Sequence, residues 1–386
     1  MVVRSFSTGG GLELYAHKVI EGLLQRGLRI TVVCEECDTD LTHNRLNVIK
    51  FSAAAKRTPK WRKLEHQFAQ ATEAVARSGP FDLVHTQHFP VAGADVVTFH
   101  NHSVAHLGKV GSAWENMLNK VKAAVVPAYL ARDRYDRLLC KSARSFIFPS
   151  HVCRDDFCQA YRAFFPLERT PYVVACPGSD LSTDSQISPD NSGVELRSMA
   201  CETHHDHTFT FLFVGRGFRR KGLDTVLTAC SLLVARKCRF RLLIAGLREK
   251  PLDVLRLRLL GLTRNVEYLG FRSDMDVVYR EASAFVMPSR HDVFGMAPLQ
   301  AMRRGLVPIV SRCMGVSELL AHRHDALILE NQIDAEQLSG LMQELIDNPN
   351  LLGDLRTNAL QVAKDITWDG CVEATLQAYR LARSAD

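Results

Sequence analysis

The sequence contains no run of eighteen apolar residues, which excludes a transmembrane helix. Its start, Met1–Phe6, has no basic stretch followed by a long apolar core, so we expect no secretory leader. The eleven cysteines follow no regular spacing, which favours reduced, mostly buried thiols over a disulfide framework. Together these absences predict a cytoplasmic protein.

What the sequence does contain is typical of globular domains. Its 386 residues are 46% apolar, 23% charged and 8% aromatic, and this composition excludes wholesale disorder and a fibrous class. A chain of this length can bury two substantial cores. Strand-like apolar runs alternate with helical patterns, which predicts βαβ units and parallel sheets. We therefore expect an α/β protein with two doubly wound, Rossmann-like domains that face a shared cleft.

A polar stretch divides the two predicted domains. From Pro177 to His207 the chain is rich in Ser, Asp, Asn and His and shows no apolar periodicity. The predicted organisation is a first domain (1–176), a linker or insertion (177–207), a second domain (208–366) and a last helix (367–386) that can pack back on the first domain. The predicted strands are Leu28–Cys34, Phe81–His85, Ala94–Phe99, Ser145–Pro149, Tyr172–Ala175, Phe209–Val214, Arg241–Ala245, Val266–Leu269, Ala284–Met287, Val307–Val310 and Ala326–Leu329. The predicted helices are Leu12–Arg26, Arg62–Arg77, Ser112–Cys140 with an interruption at Pro127, Gly222–Arg236, Asp274–Glu281, Gly295–Arg304, Ala335–Ile346 and Thr367–Arg383.

The net charge of +6 is concentrated in one segment, residues 109–144, which carries eight basic and three acidic side chains. The same segment has an apolar stripe at helical spacing, formed by Trp114, Met117, Leu118, Val121 and Val125. One interpretation is a basic amphipathic helix that lies on an anionic membrane. The other is an ordinary helix with its apolar face in the core and its charges in solvent. Because no nucleic-acid-reading module is recognisable, we expect no nucleic-acid partner.

Three loops that follow strands carry the candidate site residues. The first is Ser7–Gly11, where Gly10 and Gly11 precede a helix and would let a ligand approach the backbone and the helix N-terminus. Its spacing is not that of a dinucleotide-binding fingerprint, and a plain flexible turn is the alternative. We expect the strand before this loop to be almost missing, because few residues precede it.

The second loop places two cations, Arg216 and Lys221, between a strand end and a helix start. Its glycines do not match a dinucleotide fingerprint, and the absence of Ser or Thr after Lys221 excludes a P-loop. Two fixed cations aimed at one point suit a diphosphate without a metal. The alternative is solvated surface charge.

The third loop, which begins at Pro288, bears Asp292 and leads into a helix that opens near Gly295 and carries Gln300. The backbone amides of Gly295 and Met296 would be free at that helix start, which favours an anion. A simpler role for Asp292 is to cap the helix.

Histidines cluster near strand ends of the first half at positions 85, 88, 100 and 102. One of them at the cleft could donate to a sugar hydroxyl or phosphate, although a structural role is the more common outcome for each. Two further patterns are set aside: Cys34 and Cys37 have C-x-x-C spacing without a redox context, and Cys201 with its neighbouring histidines lies in the polar stretch.

These motifs, in this order, resemble those of the retaining glycosyltransferases of family 4, which have the GT-B fold. The matching pieces are Gly9–Glu13, Phe81–His85, Val97–His100, Cys176–Asp180, Phe213–Arg216, Lys221–Gly222, Leu243–Gly246, Pro288–Met302, Gly315 and Glu318. The run Phe218–Asp224 is more specifically similar to the lipopolysaccharide core glucosyltransferase I group.

The resemblance implies a role for each candidate residue. Arg216 and Lys221 would neutralise the diphosphate of a nucleotide sugar, and the amides around Phe294, Gly295 and Met296 would hold its distal phosphate. Asp292 and Gln300 stand at the two acids of the family's E-x7-E pattern and would contact the donor sugar and the ribose. His100 would face the donor from the other domain, where the acceptor is expected. No metal and no cofactor are implied.

The sequence departs from the family at both acids, since Asp292 is shortened and Gln300 is neutral. Loss of the charge-assisted ribose contact should cost about 1 kcal/mol. We expect a metal-independent, retaining transferase of a hexose from a nucleotide diphosphate sugar, such as a UDP sugar, to a glycan or glycolipid. It would work in the cytoplasm, with segment 109–144 as a peripheral contact with the inner membrane face. The alternatives are a weak or inactive nucleotide-sugar-binding descendant and a nucleotide-sugar epimerase.

Overall fold

A computed structural model describes residues 1–109, 111–163, 169–179 and 208–384. The predicted linker over 177–207 therefore lies, apart from its first three residues, outside the described part of the chain.

The first half of the chain forms a sheet of seven parallel strands, in the order β3-β2-β1-β4-β5-β6-β7. These strands are β1 (Val2–Ser7), β2 (Ile30–Asp38), β3 (Leu46–Lys50), β4 (His85–Gln87), β5 (Val96–Thr98), β6 (Ser145–Phe148) and β7 (Tyr172–Val174). Val2 and Val3 belong to different apolar clusters, because successive side chains of a strand point to opposite faces of the sheet. Both faces are covered, as expected for a parallel sheet.

The second half forms a sheet of six parallel strands in the order β10-β9-β8-β11-β12-β13. They are β8 (Phe209–Val214), β9 (Phe240–Ala245), β10 (Val266–Gly270), β11 (Ala284–Met287), β12 (Val307–Ser311) and β13 (Leu327–Leu329). The central strands β8, β11 and β12 are buried along nearly their whole length, which explains their continuous apolar sequences.

The helices pack on the two sheets. In the first half they are α1 (Gly11–Gln25), α2 (Lys60–Arg77), α3 (Ala113–Val125), α4 (Pro127–Ser142) and α5 (His151–Tyr161). In the second half they are α6 (Leu223–Ala235), α7 (Pro251–Leu259), α8 (Met275–Arg280), α9 (Met296–Arg303), α10 (Ala335–Asp347), α11 (Pro349–Asp365) and α12 (Trp368–Arg383). The last helix, α12, returns to the first sheet, where Trp368 and Val372 share an apolar cluster with residues of α1.

The expectation of a nearly missing first strand is wrong. β1 has six residues and pairs with β2 in register from Val2 to Ser7. Val2, Val3 and Phe6 are buried, so a few apolar residues suffice for a central strand when both neighbours supply hydrogen bonds.

The chain crosses between the two halves at two adjacent points. The backbone amide of Ser179 donates to the carbonyl of Ile366 at 3.2 Å, so the outgoing and returning segments lie side by side. A side chain at Gly178 would overlap the backbone of Thr367 and Trp368, which explains the glycine at this position.

None of the described helices is both long and apolar enough to cross a membrane.

Candidate active site

Two neighbouring loops at the carboxyl ends of β8 and β11 are held together by one carbonyl. The oxygen of Arg220 accepts from the backbone amide of Arg290 at 2.9 Å and from the Ser289 hydroxyl at 3.0 Å. Ligands of open parallel sheets bind beyond this edge. The predicted second and third loops therefore form a single surface.

Gly222 allows the close approach of these loops. It has φ +77°, a left-handed conformation, and it is the N-cap of α6. A Cβ at this position would overlap the carbonyl oxygen of Pro288. Only glycine satisfies both conditions without strain.

Lys221 and Asp292 meet at this surface and form an ion pair. Each side chain is 14% exposed. Burial alone would raise the pKa of Asp292, but the charge and hydrogen bond of Lys221, helped by Arg220, hold the pKa below its ordinary value. Asp292 is therefore ionised, and the cation assigned to the diphosphate has as its partner the acid assigned to the sugar.

Asp292 does not cap α9, so that simpler alternative is wrong. The N-cap of α9 is Gly295, with φ +99° and no side-chain cap. The first amides of α9 are thus left without a side-chain acceptor at their N-cap, and such a helix start favours an anion.

The glycine loop of the first half lies opposite this helix start. A Cβ on Gly11 would be 3.5 Å from the sulfur of Met296. Gly10 is the N-cap of α1 and also has no side-chain cap. Two uncapped helix N-termini therefore approach each other from the two halves.

The remaining predicted residues of the second half lie next to α9, on α9, and in the loop after β8. Phe294 is buried, and its carbonyl accepts from the amide of Val316 at 2.7 Å. Gln300 is partly exposed on α9. Arg216 is exposed and stacks on Phe271, with its guanidinium 4.5 Å from the ring centroid. Sequence reasoning missed Phe271, whose 63% exposure is unusual for a large aromatic side chain.

His100 lies in the first half, fixed by three neighbours. Its Nε2 is 2.6 Å from Oε1 of Gln87, its ring packs edge-on against Tyr15, and its backbone amide donates to Nδ1 of His88 at 3.2 Å. Burial, with a smaller contribution from His88, lowers the pKa of His100 to about 3. The ring is therefore neutral at physiological pH and donates its Nε2 proton to Gln87. Neither Gln87 nor Tyr15 stood out in the sequence, because neither lies in a recognisable motif.

Polar contacts tie the two halves together near this surface. The backbone amides of His151 and Val152, at the start of α5, donate to the carboxylate of Glu318 from the second half. On the opposite side, Glu115 of α3 lies 2.7 Å from Arg219 and 3.4 Å from Arg290.

Comparison with known families agrees with this geometry. A model described as "Glycosyltransferase Family 4" matches residues 9–182, and one described as "Glycosyl transferases group 1" matches residues 199–362. The chain belongs to these glycosyltransferases. The two matches divide it between the two sheets described above, and the resemblance inferred from the motifs is confirmed.

Solved structures show that the glycosyltransferase has the GT-B fold. WaaG, a glycosyltransferase involved in lipopolysaccharide biosynthesis, superposes with a TM-score of 0.70 at 18% identity, over 100% of this chain and 97% of WaaG. Sucrose-phosphate synthase from Thermosynechococcus elongatus gives 0.72 at 19% identity, over 100% and 96%. Alr3699/HepE from Anabaena, in complex with UDP and glucose, gives 0.66 at 16% identity, over 97% of each chain.

Curated relatives match over different lengths. The O-antigen chain mannosyltransferase B of Escherichia coli is 31% identical over 44% of this chain and 45% of its own length. The mannosylfructose-phosphate synthase of Agrobacterium fabrum is 29% identical, over 43% and 39%. The D-inositol 3-phosphate glycosyltransferase of Pseudarthrobacter chlorophenolicus is 23% identical over 97% of this chain and 90% of its length. The chain thus spans less than half the length of the first two.

Proposed function

We propose that this glycosyltransferase moves a hexose from a nucleoside diphosphate sugar to a glycan or glycolipid acceptor, with retention at the anomeric carbon and without a metal. The observation that carries the proposal is Lys221 on the same surface as the uncapped start of α9, opposite Gly11 of the other half. A cation beside free backbone amides is a binding site for a diphosphate.

Lys221 contributes most as the donor breaks down. Negative charge grows on the leaving diphosphate when the bond from the anomeric carbon to the phosphate oxygen lengthens, and a fixed cation stabilises that charge. In the unliganded protein this cation is held by Asp292. On donor binding the diphosphate replaces Asp292 as the ion-pair partner of Lys221, and the carboxylate of Asp292 accepts hydrogen bonds from the hydroxyls of the donor sugar.

Retention follows from attack on the face from which the nucleotide leaves. The acceptor hydroxyl oxygen bonds to the anomeric carbon, the phosphate oxygen departs with its electron pair, and that oxygen takes the acceptor proton. The chain's own residues orient the partners: Lys221 and Arg216 carry the charge of the phosphates, and His100 donates from the first half. For His100 to do so, the hydrogen bond from its Nε2 to Gln87 must break.

A UDP sugar is the donor we propose, and the acceptor is a lipopolysaccharide core or a similar glycan. Two similarities support this choice: the WaaG structure is named for lipopolysaccharide biosynthesis, and Alr3699/HepE was solved with UDP and glucose. Two relatives are named as a mannosyltransferase and a mannosylfructose-phosphate synthase, so GDP-mannose is the competing donor. Gln300 would accept one hydrogen bond from the ribose.

We further propose that α3 and α4 dock on the anionic inner face of the cytoplasmic membrane. α3 has no buried residue, and its apolar stripe, predicted to be either core or membrane surface, is exposed, with Trp114 and Val125 each 64% accessible. The core alternative is therefore wrong for α3. Exposed Lys120 and Lys122 flank the stripe on its two sides, which is the charge pattern that anionic lipids attract.

The test of the function uses the full chain with a panel of UDP and GDP sugars, with and without a glycolipid acceptor. Release of nucleoside diphosphate that depends on acceptor supports the transferase. Saturable binding without release would instead support a binding-only descendant, a possibility raised by Gln300. Conversion of the donor to another sugar without an acceptor would identify an epimerase.

A further inference from the structure

A second polar cluster lies beside the donor surface and has no part in the transfer reaction described above. It consists of His102, His106 and Asp156 from the first half, and His291 from the second half. The rings of His102 and His106 stack face to face, with centroids 3.8 Å apart. The ring of His291 stands edge-on to both, at 5.8 Å. Since His291 precedes Asp292, the cluster joins the two halves next to the ion pair.

Two ring nitrogens in this cluster are buried without a hydrogen-bond partner. They are Nε2 of His102, whose side chain is 4% exposed, and Nε2 of His106. Leaving a buried polar atom unpaired is unfavourable, so two in one place require an explanation. A cation that accepts their lone pairs would supply one.

Asp156 holds the cluster in place. Its Oδ1 is 3.0 Å from Nδ1 of His106, and its Oδ2 accepts from the backbone amide of Ser103 at 2.7 Å. A carboxylate in this position can serve as a metal ligand or as the partner that orients a ligating histidine.

The donor atoms lie close enough together to be brought onto one ion. The ligand atoms of His102, His106 and Asp156 lie within 4.8 Å of one another. Nδ1 of His102 is 3.5 Å from Oδ2 of Asp156, close to the roughly 3.4 Å that separates two ligands of a tetrahedral zinc ion.

We propose that His102, His106 and Asp156 bind a zinc-class divalent cation, with His291 as the fourth ligand from the other half. Nitrogen and carboxylate donors of this kind select zinc or a similar transition metal over magnesium or calcium. Because metal–nitrogen bonds lie in the plane of an imidazole, one ring turns out of the stack when the ion binds. The bound ion would then link the two halves beside Asp292.

The test is zinc binding by the metal-free full chain, measured by competition with a chromophoric chelator. We expect one zinc per chain, and His102→Gln and His106→Gln should each weaken binding by at least about tenfold. His151→Gln is the matched control, because His151 is exposed and outside the cluster. Zinc should bind this variant as tightly as the wild type. Thermal unfolding in chelator checks that each variant is folded.

A double variant, His204→Gln with His205→Gln, separates this site from the histidines of the polar stretch. Zinc binding lost in that double variant but kept in His106→Gln would overturn the proposal, as would no binding at micromolar zinc. Cobalt provides a second readout: ligation by imidazole and carboxylate gives visible d–d bands without the strong thiolate charge-transfer band. A thiolate band would contradict the proposed ligand set. Both readouts are independent of transfer activity, so the transferase proposal stands or falls separately.

Discussion

At the scale of single residues, the ion pair of Lys221 and Asp292 is the feature that the motif pattern did not predict. The motifs assign the cation to the diphosphate and the acid to the sugar, but in the unliganded protein each is the other's partner. In the mechanism proposed above, the donor diphosphate replaces Asp292 as the partner of Lys221. Asp292 would then compete with the diphosphate for Lys221 as well as contact the sugar.

The first prediction concerns Asp292→Asn. Removing the carboxylate frees Lys221 and removes a negative charge beside the diphosphate, so UDP should bind about fivefold more tightly, or about 1 kcal/mol. Turnover should fall by about 10- to 100-fold, because the sugar hydroxyls lose a charged acceptor. Calorimetry with UDP and initial-rate kinetics measure the two effects. Weaker binding of UDP in the variant would contradict the competition.

A second prediction follows from the neutral state of His100. Its pKa is about 3 in the folded protein, whereas an unfolded histidine titrates near 6.5. Below pH 6.5 the unfolded chain therefore binds a proton that the folded chain does not, and stability falls as the pH falls. By pH 5 this one group accounts for about 2 kcal/mol.

In the variant His100→Gln, the unfolded chain no longer takes up a proton at position 100. Its free energy of unfolding, measured by denaturant titration from pH 7 to pH 5, should decrease less steeply than that of the wild type. Other buried histidines with a lowered pKa, such as His85, account for the pH dependence of stability that remains in the variant. Parallel curves for the two proteins would show that His100 is protonated in the folded state.

The third prediction compares two glycines. Gly222→Ala places a methyl group against the Pro288 carbonyl at a positive φ, so it should destabilise the protein by about 2 kcal/mol or more. Gly353→Ala is the control, because Gly353 lies in α11 with open space around its Cβ position. That change should raise stability by about 0.5–1 kcal/mol. Equal effects of the two substitutions on the unfolding midpoint would rule out the close approach at Gly222.

At the scale of elements, the strand predictions had mixed outcomes. The boundaries of β11 follow from its apolar run, since all four residues are buried. The strand predicted at Phe81–His85 is wrong in its bounds, because β4 is His85–Gln87. β3 and β10 are both edge strands without a fully buried residue, and of these β10 was predicted and β3 was missed. α7 was missed because Leu252, Leu255 and Leu259 are exposed, so its apolar residues do not mark one buried face.

The candidate site divides in the same way. The loops after β8 and β11 were found from sequence, because the carboxyl ends of parallel strands are fixed by the fold. Arg216 on Phe271 and His106 beside Asp156 could not be found, since those contacts join residues far apart in the chain. Distances of this kind depend on packing, and no local pattern encodes them.

The fourth prediction tests α3 as a membrane contact. The full chain should float with vesicles that contain anionic phospholipid and remain unbound with neutral phosphatidylcholine vesicles. Val121→Asp places a charge in the exposed apolar stripe and should abolish flotation, since a buried apolar surface and the basic flanks act together. Leu252→Asp is the control, because Leu252 is also exposed, at 73% against 54% for Val121, but lies on α7. If Val121→Asp still floats with the anionic vesicles, α3 is not the membrane contact.

At the scale of the whole molecule, the two halves are joined by a few directed contacts. The chain crosses twice at one place, α12 returns to the first sheet, and Glu318 accepts from the first amides of α5. These polar and apolar links keep the two helix starts opposite each other. The proposed donor surface and the proposed acceptor side thus belong to different halves of one chain.

The measurement that tests this account most directly is the rate of acceptor-dependent nucleoside diphosphate release by Lys221→Ala. Loss of the cation that stabilises the leaving diphosphate should reduce kcat by about 100- to 1000-fold. Because the variant leaves Asp292 without its partner, its unfolding midpoint is measured to show that it is still folded at the assay temperature. Lys364→Ala, an exposed lysine on α11, should release nucleotide at the wild-type rate. If Lys221→Ala and the wild type release nucleoside diphosphate equally fast, the donor does not bind at this surface and the proposed function is wrong.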